Sequence, residues 1–377
     1  MAWPAEPAAS PARGGGLAFT RQRTHDRDVS PRWRSLIMAW TNPWYDPAKP
    51  HHTPQGFRNL EPATRGAGDL DRWRRERRAA KLPHPPQAGY DAFRQAWWQP
   101  ADFGAPGDAA WWLGHASVLL RLGDLHVLTD PALSPRASPL SFAGPKRRTP
   151  PAAEVDALPR IDVVLISHNH YDHYDHLDRR SVRRLARRFP QARFLVPLGL
   201  KRWLQKRGVR HAEELDWWQE TTVGEATFTC VPARHWSART LWDRNRSLWG
   251  GWVARKGDFR FYFAGDTGYS ERLAEIGTRL GPIDLAALPI GAYAPRWFMH
   301  GQHVDPAQAV QLHRELGCRR SLAIHWGAFE LADDPLDEPP VLLAEALRAQ
   351  GVPADGFRTL RIGERWPLAG AGDSRGR

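Results

Sequence analysis

The sequence predicts a mixed α/β fold in which helices cover β-sheets. From about residue 109 onward, short apolar runs that end in polar residues recur along the chain. Helical patterns lie between some of these runs, and a β-hairpin pattern begins the series. Because strands and helices alternate in part and no internal repeat is present, we expect sheets layered between helices.

Several apolar segments have the length of strands. Residues 111–120 and 125–128 form the first pair, with a turn at Gly123 and Asp124 between them. Residues 162–166 (DVVLI) are almost continuously apolar, which is typical of a buried strand. The remaining segments, in chain order, are residues 194–196, 228–232, 259–264, 285–290 and 321–324.

Three helices are also indicated. One follows Asp178, since four apolar residues recur there at helical spacing with arginines on the other faces. Another begins after Asp305 and Pro306, a helix-capping residue followed by proline at the first turn. Residues 69–81 form a short basic helix, for which we expect Trp73 to pack inward. Its alternative role is a surface that faces anionic lipid.

Composition limits the class of protein. The net charge of +12 is explained either by an arginine-rich surface or by attraction to an anionic partner. Cys230 and Cys318 contribute no Cys-x-x-Cys pair, which excludes a cysteine zinc site, and we expect buried reduced thiols. With no apolar run of about 18 residues and no hydrophobic signal core, we expect a cytoplasmic protein, with a peripheral membrane location as the alternative.

Changes in residue composition along the sequence divide the chain into four parts. Residues 1–30 are rich in Ala, Pro, Gly and Arg and are expected to be disordered. Residues 31–104 form an extension rich in Trp and Arg that packs on the core. The catalytic domain is expected at residues 105–367, followed by a flexible tail at residues 368–377.

A cluster of metal-ligand side chains follows the apolar run at residues 162–166. It comprises His168, His170, Asp172 and His173, and α/β enzymes commonly hold their sites in such loops. His-x-His on an extended segment puts both rings on one side, so that both can bind one ion. Asp172 and His173 can then face a second ion. Imidazole and carboxylate ligands suit zinc and similar divalent ions.

Three further residues of metal-ligand type also follow predicted strands. They are His235, Asp266 and His325, in the segments VPARHW, FAGDTG and AIHWG. Each residue alone is only a weak indication of a metal site. An aspartate in a Gly-Asp-Thr-Gly turn, for example, is usually just a turn residue. Together with the histidine cluster they predict a metal-dependent hydrolase with a two-metal centre.

Several motifs of the chain resemble those of a known protein superfamily. SHNHYDH, GDTG and AIHWG, in this order, resemble the metallo-β-lactamase superfamily. Longer segments such as WLGHASVLL, GPKR, ELDWW, FYFAGDTGY and DLAALPIGAYAPRWFM resemble its N-acyl-phosphatidylethanolamine-hydrolysing phospholipase D family, from about residue 105 to about residue 365. The resemblance implies a metallo-β-lactamase-like αββα sandwich with metals at one edge.

The resemblance also implies a role for each ligand. One zinc ion would be held by His168, His170 and His235, and the other by Asp172, His173 and His325, with Asp266 bridging both. Asp172, Asp266 and His303 would serve catalysis, with His303 near the substrate phosphate, and Asp130 would support the metal loop. Trp297, Phe298 and Met299 are either substrate-lining residues or core.

One departure concerns the first cluster. The family segment reads HNHYDHLD, whereas this chain reads HNHYDHYDHLD, with an extra Tyr-Asp-His. Only one register satisfies His-x-His-x-Asp-His, so we expect Asp175 and His176 to be spectators at the start of the following helix. Replacement of His173 by His176 is the alternative.

The implied reaction is hydrolysis of N-acyl-phosphatidylethanolamine, or a related phospholipid, to N-acylethanolamine and phosphatidic acid. Two divalent ions, zinc by preference, would supply a bridging hydroxide. Expected partners are the phospholipid and an anionic membrane surface, with no nucleic acid and a homodimer as one option. The alternatives are a lactonase or nucleic-acid phosphodiesterase of the same fold, and a non-enzymatic metal-binding protein.

Overall fold

Two seven-stranded β-sheets that share one apolar core form the centre of the molecule. The structure, a computed structural model, describes residues 40–138, 142–170, 176–240 and 242–368. The described chain from Thr41 onward forms one compact unit. The predicted αββα architecture is therefore confirmed. Residues 1–30 and nearly all of the predicted tail lie outside the described residues.

The first sheet has the order β16-β3-β4-β5-β6-β7-β8. Neighbours from β16 to β5 are antiparallel, and those from β5 to β8 are parallel. Its strands are β3 (Ala109–Gly114), β4 (Ser117–Leu122), β5 (Leu125–Thr129), β6 (Val163–Leu165), β7 (Arg193–Pro197), β8 (His211–Leu215) and β16 (Arg365–Pro367).

The second sheet has the order β15-β14-β13-β12-β11-β10-β9. It is antiparallel from β9 to β12 and parallel from β12 to β15. Its strands are β9 (Glu220–Val223), β10 (Ala226–Val231), β11 (Gly251–Lys256), β12 (Phe259–Phe263), β13 (Leu285–Pro289), β14 (Ser321–Ile324) and β15 (Phe357–Arg358). A small hairpin of β1 (His52–Thr53) and β2 (Gly56–Phe57) precedes both sheets.

The helices lie between strands in the chain order. They are α1 (Asp69–Ala79), α2 (Gly89–Trp97), α3 (Arg179–Arg188), α4 (Lys201–Gln205), α5 (Ala274–Leu280), α6 (Arg296–Met299), α7 (Pro306–Glu315) and α8 (Glu338–Ala349). Asp305 caps α7 as predicted, accepting a hydrogen bond from the backbone N–H of Gln308. Asp178 caps α3 in the same way, accepting from the backbone N–H of Arg180. None of the helices described here is long and apolar enough to cross a membrane.

The prediction for residues 111–120 was wrong in one respect. This segment is two antiparallel strands, β3 and β4, joined by a tight turn at His115 and Ala116. Gly114 and His115 both have positive φ, at 102° and 54°, which allows the chain to reverse inside an apolar run. Gly114 is a lone turn signal inside a mostly apolar run, so the hydrophobic pattern hid the turn.

Buried parallel strands explain the continuous apolar runs. Every residue of β6, β13 and β14 is buried, because these strands are covered on both faces. A direct bond also joins the two sheets: the indole N–H of Trp252 on β11 donates to the carbonyl of Ile166 after β6, at 2.8 Å. Cys230 and Cys318 are buried free thiols, as predicted.

The N-terminal extension is fixed to the core by buried polar contacts. Trp73 on α1 is buried, as predicted; its indole N–H donates to Asp333 Oδ2 at 3.0 Å. Nearer the start of the extension, Asp216 after β8 accepts hydrogen bonds from three side chains. These donors are Lys49 Nζ at 2.6 Å, His51 Nε2 at 2.7 Å and His52 Nε2 at 3.0 Å.

The charge of Asp216 depends on this cluster. Burial alone would raise the pKa of the carboxyl, but the hydrogen bonds from His51 and Lys49 outweigh it and hold the pKa well below its usual range. The folded protein therefore keeps the carboxylate ionised where the unfolded chain would begin to protonate it. The resulting stability is complete above about pH 4 and falls as the pH is lowered further.

We expect Asp216→Asn to lower the free energy of unfolding at pH 7 by about 3 kcal/mol, because the donors Lys49, His51 and His52 lose a buried carboxylate acceptor. The difference from wild type should shrink as the pH falls below about 4. The matched control is Asp156→Asn, whose side chain is 73% exposed and pairs with Arg184. Denaturant unfolding across pH measures both; equal losses in the two variants would contradict the prediction.

Candidate metal centre

The candidate site lies where several strands end at one edge of the two sheets. Asp130 follows β5, His168 and His170 follow β6, and three further residues follow strands of the second sheet. Those three are His235 after β10, Asp266 after β12 and His325 after β14. The structure brings all of them together. The predicted ligands Asp172 and His173 lie outside the described residues.

The carboxylate of Asp266 stands at the centre of the cluster. His325 Nε2 lies 3.1 Å from its Oδ1. The ring nitrogens nearest its Oδ2 are those of His176 Nε2 at 3.2 Å, His235 Nε2 at 3.8 Å, His303 Nδ1 at 3.9 Å and His168 Nε2 at 4.0 Å. The side chain is only 1% exposed, so these groups meet away from solvent.

A first ligand group consists of His168, His170, His235 and Asp266, which offer ligand atoms within 4.8 Å of one another. His168 Nε2 and His170 Nδ1 are 3.2 Å apart, the spacing of two atoms that face one ion. His235 Nδ1 lies 2.9 Å from the carbonyl of Gln302, to which it donates, and its Nε2 is thereby left toward Asp266. This is the grouping that the sequence predicts for one metal.

His176 occupies the second half of the centre, and its prediction as a spectator was wrong. The residue is fully buried, with Nε2 facing Asp266 and a ring centroid 4.3 Å from that of His168. The following residues fix it: Leu177 is buried, and Asp178 accepts a hydrogen bond from the backbone N–H of Ser134 at 3.0 Å. His176 therefore faces Asp266 beside His325, in the ligand group to which the resemblance assigns His173.

Asp130, in the TDP segment, orients two histidines of the cluster through hydrogen bonds. Its Oδ2 accepts from His176 Nδ1 at 2.6 Å, which leaves Nε2 of that ring to face the site. Its Oδ1 accepts from the backbone N–H of Ser167 at 2.7 Å. The hydroxyl of Ser167 also donates to Asp130 and lies 2.8 Å from His168 Nδ1, so one carboxylate holds both rings.

His115, in the segment WLGHASVLL, also belongs to the cluster, and the sequence predicts no role for it. It groups with His176 and His325, and its ring centroid is 4.3 Å from that of His325. Its carbonyl accepts the backbone N–H of His325 at 3.0 Å. His325 itself has φ of 63°, an uncommon value for a non-glycine residue and one often found at functional sites.

Asn59 is a second residue that sequence reasoning missed. Its amide Nδ2 donates to the carbonyl of His235 at 2.8 Å, and its Oδ1 accepts from the backbone N–H of His235 at 3.1 Å. Both backbone groups of a predicted ligand are thus held by one side chain of the extension. The FRNLEP segment has no metal-ligand or strand pattern, so nothing in its local sequence indicated this contact.

An apolar cavity of about 70 Å³ opens beside the centre. Its polar wall contains Asp266, His303 and His325, and its apolar wall is formed largely by Leu70, Trp73, Phe298, Met299 and Leu331. Of the three predicted lining residues, Phe298 and Met299 line it. Trp297 packs behind them, with the Arg72 guanidinium 4.1 Å from its ring centroid.

The protonation states suit metal binding. Burial lowers the pKa of His168 and His303 well below the usual value and that of His235 to about 4, so these rings are neutral at pH 7. Burial alone would raise the pKa of Asp266, but His176 and His325 outweigh it and hold the pKa well below its usual range. Metal ligands must be neutral imidazole and ionised carboxylate.

Buried polar atoms without hydrogen bonds test whether these residues fit bound metal ions. Among the described residues, both carboxylate oxygens of Asp266 and the Nε2 atoms of His235 and His325 have no hydrogen bond of acceptable geometry. Leaving buried polar groups in this state costs roughly 1–3 kcal/mol each. Divalent cations would bind all of these atoms, and the mixed nitrogen and oxygen donors fit them.

The position of His176 gives a prediction about metal affinity. His176→Ala should weaken metal binding by more than about 100-fold, since loss of even a ligand's supporting partner costs about 10- to 100-fold. His173→Ala, the matched change in the preceding Tyr-Asp-His, should leave the affinity near the wild-type value. Titration against a competing chelator measures both constants. A larger loss of metal affinity in His173→Ala than in His176→Ala would instead identify His173 as the ligand.

The Asn59 clamp gives a second prediction. Asn59→Ala should lower metal affinity by about 10-fold, because the backbone of His235 loses both partners. The control is Asn42→Ala, which removes amide bonds to the carbonyls of Thr53 and Gly56 in the same extension without contact to a ligand. We expect the control to lower thermal stability and to spare metal affinity. Parallel losses in both variants would mean that Asn59 acts only on folding.

Comparison with known proteins identifies the family. A model described as the beta-lactamase superfamily domain matches residues 126–326. The chain is 42% identical over 269 residues to N-acyl-phosphatidylethanolamine-hydrolyzing phospholipase D 1 of Caenorhabditis elegans, covering 68% of this chain and 75% of the relative. It is 34% identical over 235 residues to the mitochondrial enzyme of that name from Saccharomyces cerevisiae, covering 60% of this chain and about half, 49%, of the relative.

Solved structures share the fold at low identity. Igni18, a metallo hydrolase from Ignicoccus hospitalis, superposes with a TM-score of 0.53 at 19% identity, covering 70% of this chain and 99% of its own. The diiron β-hydroxylase CmlA from Streptomyces venezuelae gives 0.51 at 22% identity, covering 70% and 55%. Since their described reactions differ, the shared fold leaves the reaction open. On the family model and the nematode relative, the chain belongs to the metallo-β-lactamase superfamily, as a metal-dependent hydrolase of that fold.

Proposed function

We propose that this protein is a phosphodiesterase of the phospholipase D type. It hydrolyses N-acyl-phosphatidylethanolamine, or a related phospholipid, to N-acylethanolamine and phosphatidic acid. The observation that carries the proposal is the 42% identity over 269 residues to the nematode enzyme of that name. The geometry adds a buried cluster of metal ligands beside an apolar cavity.

The shape of the cavity suits a phosphodiester with apolar substituents. Its volume of about 70 Å³ is far below the roughly 300–1,000 Å³ of cavities that enclose a whole ligand. Only the phosphodiester and the atoms next to it fit inside, so the acyl chains lie along the surface outside. Trp73 and Phe298 stack at 5.0 Å between ring centroids and form an apolar wall beside the ligand cluster.

Two zinc ions are the proposed cofactor. The ligands fall into two groups: His168, His170 and His235 on one side, and His176 and His325 on the other, with Asp266 between them. Bound there, such ions would lower the pKa of water and neutralise charge on the phosphoryl oxygens. Manganese, iron and cobalt accept similar ligands. The choice of zinc therefore rests on the preference of this ion for imidazole nitrogen.

The residues themselves position the reactants. Asp130 holds the rings of His168 and His176, which fixes the edge of the centre where water and phosphate meet. Water oxygen adds to phosphorus, the bond between phosphorus and the ethanolamine oxygen breaks, and that oxygen gains a proton. His303 faces the same space, with a side chain 12% exposed, and can donate a hydrogen bond to a phosphoryl or leaving oxygen.

Hydrolysis in ¹⁸O-labelled water tests the reaction. The purified, metal-loaded protein should convert N-acyl-phosphatidylethanolamine vesicles to two products, with the label in phosphatidic acid and none in N-acylethanolamine. Mass spectrometry reads both, and a chelator should abolish the reaction. RNA and lactones serve as parallel substrates for the two alternative activities of this fold. Cleavage of RNA or lactone with no lipid product would overturn the proposal.

His303 gives a matched prediction. His303→Ala should lower kcat by about 100-fold or more with bound metal unchanged, because loss of one hydrogen-bond donor to the developing charge costs about 10²- to 10³-fold. The control is His300→Ala, at a half-buried histidine whose Nδ1 lies 2.9 Å from the carbonyl of Arg296. We expect the control to remain near wild type in kcat and metal content. Full activity in His303→Ala would remove this residue from the mechanism.

A further inference from the structure

A cleft of about 730 Å³ lies beside the metal centre and carries a concentrated positive charge. Five arginines line it: Arg58, Arg65, Arg234, Arg244 and Arg272. Among its described lining residues only Glu61 is acidic. That carboxylate already accepts the hydroxyl of Ser270 and lies 3.9 Å from Arg272 Nε. The lining therefore has a net formal charge of about +4 before any ligand binds.

Three of these guanidinium groups are held in place by the fold. Arg65 Nε donates to the carbonyl of Phe298 at 2.7 Å, and its Cζ lies 3.6 Å from the Phe298 ring centroid. Arg234 Nη1 donates to the carbonyl of Tyr269 at 2.8 Å, and Arg58 Nε donates to that of Pro50 at 2.8 Å. Each guanidinium carries five N–H donors in a fixed plane, so a side chain anchored through one donor is prepared to bind a planar or tetrahedral oxyanion.

The arginines repel one another. Burial lowers the pKa of Arg65 to about 10, and the nearby charge of Arg244 contributes in the same direction. Like charges gathered at a partly buried cleft are unfavourable unless an anion lies between them. A phosphate group, which arginine forks bind in bidentate fashion, matches this arrangement in charge and shape.

The cleft is next to the candidate catalytic cavity but is separate from it. Arg65, Trp236 and Gln302 line both spaces. The indole N–H of Trp236 donates to Gln302 Oε1 at 2.9 Å, and this bond forms part of the shared wall. The candidate ligand His235 also lines the cleft, so an anion bound there lies against the wall of the metal centre.

Apolar side chains near the cleft favour a lipid as the source of the phosphate. Trp242, two residues before Arg244, is 79% exposed. Leu70, on the wall of the neighbouring cavity, is 40% exposed. Exposed tryptophan beside arginine is typical of surfaces that meet the headgroup region of a bilayer, where the ring and the charge each find a partner.

We propose that this arginine cleft binds the phosphate-bearing headgroup of an anionic phospholipid, as a second lipid site beside the metal centre. The site is distinct from the one where the hydrolysed phosphodiester binds. It would hold a neighbouring lipid of the membrane surface and so keep the cavity entrance against the bilayer. The binding needs no turnover, so it stands or falls separately from the proposed reaction.

The test compares two triple variants with equal loss of charge. The cleft variant is Arg58→Gln, Arg244→Gln and Arg272→Gln, all exposed residues outside the ligand cluster. The control is Arg179→Gln, Arg183→Gln and Arg187→Gln, exposed arginines of α3 that line a different groove. Cosedimentation with vesicles of phosphatidylcholine, with and without phosphatidic acid, measures binding. Thermal unfolding confirms that both variants are folded.

We expect the cleft variant to bind phosphatidic acid vesicles about 100-fold more weakly than wild type, at about 1 kcal/mol for each arginine near the surface. The control should lose much less, and pure phosphatidylcholine vesicles should bind all three proteins weakly. Equal losses in the two variants would overturn the proposal in favour of general charge attraction. Titration with glycerol phosphate distinguishes the source: binding of this soluble phosphate, without binding of vesicles, would overturn the lipid assignment.

Discussion

The burial of Asp266 among histidine rings is the constraint on which the site depends. A carboxylate with 1% exposure is stable only if nearby charges or hydrogen bonds compensate for lost water. Its neighbours His168, His235 and His303 have their pKa values lowered by burial and are therefore neutral at pH 7. Neutral rings that direct nitrogen atoms at an ionised carboxylate have the electrostatics of a cation site. Several buried strands of the two sheets end at one edge, and their rigid backbone positions each candidate ligand.

The extension before the catalytic domain completes the site, although it contains none of the predicted metal ligands. Asn59 holds both backbone groups of His235, and Arg65 and Trp73 line the cavity beside the centre. The extension is itself fixed by the hydrogen bonds that Asp216 accepts from Lys49 and His51, and by the bond from Trp73 to Asp333. Stability of this segment and geometry of the metal centre are therefore linked. The same segment also supplies Arg58 and Arg65 to the arginine cleft, which shares a wall with the cavity beside the metal ligands.

Much of this arrangement could be predicted from the sequence, because buried strands and the ligands that end them leave a local pattern. Continuous apolar runs marked β6, β13 and β14, and the residues after such runs, His168 and His325 among them, meet in the structure. The turn at His115 was missed because Gly114 is a lone turn signal within a mostly apolar run. Asn59 was missed because its contact spans 176 residues of chain and no spacing rule encodes it. His176 was misjudged because spacing alone favours His173, whereas the burial of Leu177 and the cap at Asp178 fix His176 in space.

The central claim is that His176 completes a two-metal centre around Asp266. An anomalous scattering map from crystals of the zinc-loaded protein tests it most directly. The account predicts two peaks roughly 3.5–4 Å apart, as in two-metal hydrolases. One should be bound by His168, His170 and His235, the other by His176 and His325, with Asp266 in contact with both. A single peak, or a second peak bound by His173 with His176 turned away, would contradict it.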